Sequence, residues 1–134
     1  MFAKDTYILV VDDSANIRHI ICDNLRQMGF SKMEVASDGN EGFSKLVHQQ
    51  KAGTPFALVL SDLNMPNLNG LEFLKQVRKS EEFKELPFVL ITTESEKGAV
   101  IEAAVNGVSS YIVKPFNIET LTRRLTEAHK KHFG

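Results

Sequence analysis

Five strand-sized apolar runs punctuate the chain: Tyr7–Val11, Met33–Ala36, Phe56–Leu60, Phe88–Ile91 and Tyr111–Val113. Each is followed by a stretch with apolar residues at helical spacing, the signature of βαβ units. Parallel strands joined through helices cross over right-handedly and pack helices on both sheet faces. The expected fold class is therefore α/β, a doubly wound parallel sheet of five strands flanked by five helices. Three runs show little polar alternation, as strands buried on both faces should. Met33-Glu-Val-Ala36 is shorter and more polar, so it belongs at an edge. The pattern alone does not fix the strand order.

The helical stripes run through Ile17, Ile20, Ile21, Leu25 and Met28, then Phe43, Leu46 and Val47, then Leu71, Leu74 and Val77. Val100, Ile101, Ala104 and Val105 give the fourth helix a narrow small-residue face, and Ile118, Leu121, Leu125 and Ala128 mark the fifth. Each stripe should cover one side of the sheet. Asp38-x-x-Glu41 and Asn69-x-x-Glu72 have the capping-box form, and Ser14 and Asn117 suit the starts of the first and fifth helices. Gly29 and Gly107 suit helix ends. Residues 49–55 read as a loop rather than a linker, and no repeats or low-complexity tracts occur.

Composition narrows the function classes. A chain of 134 residues holds one core of useful size, and the single Cys22 has no internal disulfide partner. Sixteen basic against seventeen acidic side chains give a formal charge of −1, which removes the footprint of a nonspecific nucleic-acid binder. No apolar run approaches the ~20 residues of a membrane-spanning helix. Asp5, Asp12 and Asp13 interrupt any secretory signal. The expectation is a cytoplasmic protein that binds neither nucleic acid nor membrane.

All strands of a parallel sheet deliver their carboxyl ends to one edge, where such folds bind ligands. Here that edge receives Asp12-Asp13, Ser61-Asp62, Thr92-Thr93 and Lys114-Pro115. Three carboxylates within about 5 Å would repel by ~3 kcal/mol per pair at an effective dielectric near 20, so the cluster calls for a cation. Hard oxygen ligands favour Mg²⁺, which shares its shell readily with a phosphoryl group. Asp62 stands alone on its strand and is the candidate nucleophile, with an aspartyl phosphate as product. Thr92 is placed to hydrogen-bond a new phosphoryl oxygen.

Val10-Val-Asp-Asp-Ser14, Ser61-Asp-Leu-Asn-Met-Pro-Asn-Leu-Asn-Gly70, Leu90-Ile-Thr-Thr-Glu94 and Tyr111-Ile-Val-Lys-Pro-Phe116 together resemble the receiver domain of two-component response regulators, closest to the single-domain chemotaxis regulators. The resemblance covers nearly the whole chain. It implies a flavodoxin-like strand order of 2-1-3-4-5 and a cis peptide at Lys114-Pro115. It implies that Asp12, Asp13, Asp62 and the backbone carbonyl of Asn64 hold Mg²⁺, that Asp62 is the phosphoacceptor, and that Lys114 pairs with the phosphoryl group. Thr92 and Tyr111 would form the switch pair, and Asn64 and Glu94 would tune dephosphorylation. Two positions depart from common family usage: Thr93 is larger than the usual small residue, and Leu63 stands where some relatives carry Trp.

The function so implied is a phosphorylation-activated response regulator of chemotaxis type, without a turnover substrate of its own. Residues 1–134 would form a single receiver domain with no effector domain, acting as a monomer. A sensor histidine kinase would supply the phosphoryl group, or small acyl phosphates slowly. A flagellar motor switch protein or other target would read the face of the fourth helix, fifth strand and fifth helix, and a phosphatase would reset it. The alternatives are a phosphorelay carrier that passes its phosphoryl group to a histidine phosphotransfer protein, an unphosphorylated receiver-like scaffold, and a phosphatase. The last is disfavoured because Asn64 stands where haloacid-dehalogenase-type enzymes carry a second Asp.

Some features have plainer readings. Strand and turn chemistry explains any one Asp or Thr but not a convergent set with Lys114. His19 and Cys22, three apart on a helix, read as a surface imidazole beside a buried thiol, since two such ligands seldom hold a metal. The tail Ala128-His-Lys-Lys-His132 reads as a solvated last turn whose basic charge suits a helix carboxyl end.

Overall fold

The computed structural model describes residues 1–134, apart from the side chain of Glu94. Its elements are β1 Tyr7–Val11, α1 Ala15–Gln27, β2 Lys32–Ala36, α2 Gly39–Lys51, β3 Leu58–Asp62, α3 Gly70–Lys79, β4 Phe88–Thr92, a 3₁₀ turn Glu94–Glu96, α4 Lys97–Val105, β5 Ser110–Val113 and α5 Ile118–Phe133. The strands form one parallel sheet in the order β2-β1-β3-β4-β5. The more polar β2 lies at the edge, as its composition requires.

The period-two alternation of the strands divides the interior in two. Leu9, Val11, Val59, Phe88 and Leu90 point into the core that α2, α3 and α4 cover, with Phe73, Leu74 and Val77 opposite. Ile8, Val10, Leu58, Leu60, Val89 and Ile91 point to the other face, where α1 contributes Ile21 and Leu25 and α5 contributes Leu121, Leu125 and Ala128. Each fully buried large apolar side chain contributes ~1.5–3 kcal/mol relative to exposure, so this two-sided packing is what holds the strand ends in place.

Helix starts follow the capping residues. Ser14, Asp38, Asn69 and Asn117 each accept a backbone N–H three residues on. Gly29 and Gly107 follow the last turns of α1 and α4 with φ of 101° and 82°, a conformation that a side chain resists.

Three local expectations fail. The third strand lies two residues later than its apolar run: Phe56 packs its ring 4.3 Å from that of Tyr7 outside the ladder, and the strand runs on through Ser61 to Asp62. In α4 the buried residue is Ala103, whereas Ile101 and Val105 are 67% and 82% exposed and Ala104 faces solvent. That helix is apolar almost all round, so periodicity could not choose its inner face. Ile20 of α1 is likewise exposed, because Ile21 and Cys22 complete the inward stripe.

Candidate functional site

The sheet order changes direction between β1 and β3, and the crevice at their carboxyl ends is where a doubly wound fold accepts ligands. Asp12 follows β1, its N–H bonded to the Ala36 carbonyl at 3.0 Å. Its side chain is fixed by the start of α1: Ser14 N–H donates to Asp12 Oδ1 at 2.8 Å, and Arg18 Nη1 donates to the Asp12 carbonyl at 2.7 Å. Asp12 is thereby buried to 1% exposure, yet its Oδ2 has no hydrogen-bond partner among the described residues. Asp62, the last residue of β3, is also buried, while Asp13 is exposed. Carboxylate oxygens of Asp12, Asp13 and Asp62 all lie within 4.8 Å of one another.

Lys114 comes to the same place from the end of β5. Its backbone N–H bonds the Thr92 carbonyl at 2.7 Å, and its peptide bond to Pro115 is cis. Its Nζ lies 3.0 Å from Asp62 Oδ1 and 3.5 Å from Asp12 Oδ2. Burial raises the Asp62 carboxyl above the ordinary carboxylate range; Lys114 pulls it back and the Asp12 charge pushes it further up. Burial also disfavours the Lys114 ammonium, but Asp62 and Asp12 outweigh that and hold it above the usual lysine range. Asp62 thus rises through burial and Lys114 through its two carboxylate neighbours, and one ammonium faces an excess of carboxylate.

That imbalance, with a buried carboxylate oxygen left without a hydrogen bond among the described residues, is what a small divalent cation relieves. The donor set is all hard oxygen, from Asp12, Asp13 and Asp62, and Mg²⁺ fits it. The charge cluster expected from the sequence is therefore assembled by the fold.

The response regulator receiver domain family matches residues 8–126. The chain is 40% identical over 128 residues to the chemotaxis protein CheY-3 of Vibrio cholerae, spanning 96% of this chain and 95% of that one. It is 42% identical over 118 residues to the chemotaxis protein CheY1 of Helicobacter pylori, spanning 88% and 92%. This chain belongs to the response regulator receiver family. Its fold superposes on the chemotaxis response regulator CheY4 of Vibrio cholerae with a TM-score of 0.79 at 37% identity, covering 92% of this chain and 98% of that structure. Receiver domains of this kind are signalling components of two-component systems, and the chemotaxis relatives place this one in that theme.

Further residues of this receiver domain surround the carboxylates. Thr92 ends β4 at 1% exposure, with its hydroxyl directed at the Thr93 carbonyl 3.4 Å away. Asn64 is exposed on the β3–α3 connection, and its Nδ2 donates to Glu96 Oε1 at 3.4 Å. Glu94, the other residue the family resemblance assigns to dephosphorylation, lies outside the described side chains. Thr93 is exposed and shares a hydrogen bond of 2.8 Å with Ser95. Leu63 is buried, tied to β4 through the Ile91 carbonyl.

Tyr111 is half-buried on β5 and borders an open groove with Thr93, Lys97, Val100, Ile101 and Val113. Arg124 reaches from α5 to lay its guanidinium 4.7 Å from the centre of the Tyr111 ring, steadied by Glu127 at 3.0 Å. Neither Arg124 nor Arg18 was legible as a site neighbour, since an isolated surface arginine carries no positional signal. Gly70 closes the Ser61–Gly70 motif, where sequence alone gives it no role. A Cβ there would lie 2.1 Å from the Asp62 carbonyl oxygen, so only glycine lets α3 start against the backbone of the site carboxylate.

His19 is exposed and Cys22 buried, as the plain reading holds. Burial raises the Cys22 thiol pKa, which keeps it unreactive. The basic tail differs from expectation: His132 is half-buried and bonded to Ser109, and Lys131 donates to the Val108 carbonyl at 3.2 Å.

Proposed function

We propose that this receiver domain is a phosphorylation-activated chemotaxis-type switch, phosphorylated on Asp62 by a sensor histidine kinase in the cytoplasm. The observation that carries the reading is the position of Asp62, buried, 3.0 Å from the Lys114 ammonium and beside the Asp12 oxygen that has no hydrogen bond among the described residues. A carboxylate oxygen of Asp62 attacks phosphorus, the bond from phosphorus to the donor imidazole nitrogen breaks, and the imidazole leaves with that electron pair. Lys114 pairs with a phosphoryl oxygen, balancing charge that moves onto the buried carboxyl. Asp12, Asp13, Asp62 and the Asn64 carbonyl would hold Mg²⁺, which when bound neutralises negative charge on the phosphoryl oxygens.

Phosphorylation adds about −1.5 to −2 charge at the end of β3. The Thr92 hydroxyl, which among the described residues makes one long bond to its neighbour's carbonyl, turns to a phosphoryl oxygen, and Tyr111 follows into the space released. The face of α4, β5 and α5 thereby changes shape for a target such as a flagellar motor switch protein. The exposed Ile101 and Val105 on that face support this reading. Couplings of this kind are about 1–3 kcal/mol, so a minority of unphosphorylated molecules already holds the active form. Asn64 and Glu94 would set the lifetime of the acyl phosphate, with or without a phosphatase.

The test is transfer of labelled phosphate from a phosphorylated histidine kinase to the parent and to Asp62→Asn. The parent takes up label and the variant does not; uptake by the variant at the parental rate removes Asp62 as acceptor. Label that next appears on a histidine phosphotransfer protein in place of hydrolysis supports the relay alternative.

A further inference from the structure

At the opposite edge of the sheet, where the strands begin, four elements meet around one hydroxyl. Ser109, at 4% exposure just before β5, receives the backbone N–H of Phe88 at 3.0 Å. The half-buried Arg78 of α3 directs Nη2 at the same oxygen from 3.5 Å. Arg78 also caps the carbonyls of Gly107 at 3.0 Å and Leu86 at 2.7 Å, so it cannot turn away cheaply. From the last turn of α5, His132 places Nε2 2.6 Å from Ser109 Oγ.

Donor accounting points to one placement of the proton. A serine hydroxyl has one hydrogen and two lone pairs, and an arginine guanidinium or a backbone N–H only donates. Phe88 and Arg78 supply both donors that the oxygen can accept, so the Ser109 hydrogen goes to His132 Nε2. That placement makes the imidazole neutral with its own proton on Nδ1. A protonated His132 would present a third donor to an oxygen that can accept only two, with Arg78 fixed behind it.

We propose that His132 is an acid-released clasp, fastening the last turn of α5 to the starts of β4 and β5 while neutral and letting go on protonation. The charged groups that bear on it are Arg78 from α3, Glu85 from the α3–β4 connection and Lys131 from its own helix. Burial first, then Arg78 and Lys131, press the His132 pKa below the ordinary histidine value, and Glu85 opposes them. A depressed folded-state pKa means the contact contributes fully above the ordinary histidine range and is lost as the pH falls through the folded value. The amino terminus shares the released turn: Phe2 packs edge-on against His129 at 5.0 Å and Phe133 at 6.3 Å. This device lies apart from the carboxylate site and does not depend on phosphorylation.

The test uses the full chain without phosphodonor. Nitrogen-resolved NMR of the imidazoles at about pH 7.5 should show His132 as the Nδ1–H tautomer. On lowering the pH to about 5.5, amide exchange in residues 126–133, corrected for intrinsic chemistry, should accelerate about tenfold relative to β1 and β4. His132→Gln, which cannot titrate, should lose the acid response, and Ser109→Ala should bring the His132 titration back toward the ordinary value. An Nε2–H tautomer at neutral pH overturns the clasp, as does an undiminished acid response in His132→Gln. If His132→Gln does not fold, the tautomer and Ser109→Ala still decide.

Discussion

Replacing Gly70 with Ala probes how tightly the site carboxylate is built into the fold. The new Cβ would sit 2.1 Å from the Asp62 carbonyl oxygen and 3.0 Å from both Asp62 C and Leu63 Cα. Ordinary contact begins near 3.4 Å, so α3 and the end of β3 must separate by over 1 Å, and both obstacles are backbone. The separation also stretches the 2.8 Å bond from Gly70 N–H to the Leu63 carbonyl. Overpacking of about 1–3 kcal/mol and a strained hydrogen bond of about 1 kcal/mol together cost about 2–4 kcal/mol, within a stability of about 5–15 kcal/mol. A displacement of about 1 Å at a reacting group slows transfer by roughly 10²-fold. Urea unfolding reads the first effect and the initial rate of phosphate uptake from a small acyl phosphate reads the second. Gly98→Ala is the control, because nothing lies within 4 Å of its Cβ in α4, and it should be neutral or gain up to about 1 kcal/mol. Should Gly70→Ala unfold within about 0.5 kcal/mol of the parent and take up phosphate equally fast, the close approach of α3 to Asp62 is not what positions the site.

Lys114→Gln leaves Asp12 and Asp62 without their cation. Urea unfolding of the magnesium-free variant should show a loss of about 1–2 kcal/mol, below the full cost of breaking a buried pair because the lysine is partly exposed. Added Mg²⁺ should stabilise the parent by about 2.7 kcal/mol at 100 times its dissociation constant, and Asp12→Asn should lose most of that gain. A parent midpoint indifferent to Mg²⁺ would count against the metal site. Ser14→Ala removes the α1 cap but keeps the N–H that holds Asp12, so stability should fall by about 1 kcal/mol with phosphate uptake unchanged. Arg124→Ala uncovers the Tyr111 ring; a fluorotyrosine signal at position 111 should shift before any phosphodonor is added, and an unchanged signal would show that Arg124 does not hold the ring.

The sheet and the site edge could be read from the sequence because each rests on a local rule. Alternating apolar runs dictate parallel strands, and Ser14, Asp38, Asn69 and Asn117 start helices wherever they meet an amphipathic stripe. Asp12, Asp62, Thr92 and Lys114 followed from strand ends, since one edge must receive them all. What escaped depends on packing between distant segments. The uniform apolarity of α4 hid Ala103 as its inward residue, and Ile20 competes with Ile21 for the same stripe. Phe73 was absent from the α3 stripe although its ring meets Phe88 at 5.3 Å. His132 looked like a solvated tail residue because its partners, Ser109 and Arg78, are 23 and 54 positions away. Gly70 carries meaning only once α3 is seen against the Asp62 carbonyl.

The most direct measurement of the central claim is to phosphorylate the chain with a labelled small acyl phosphate and Mg²⁺, reduce the acyl phosphate chemically, and locate the modified residue by peptide mass spectrometry. The account predicts a single modified site at Asp62, formed only with the divalent ion and absent from Asp62→Asn. Modification at Asp12 or Asp13 instead, or equal incorporation after chelation of the metal, would contradict it.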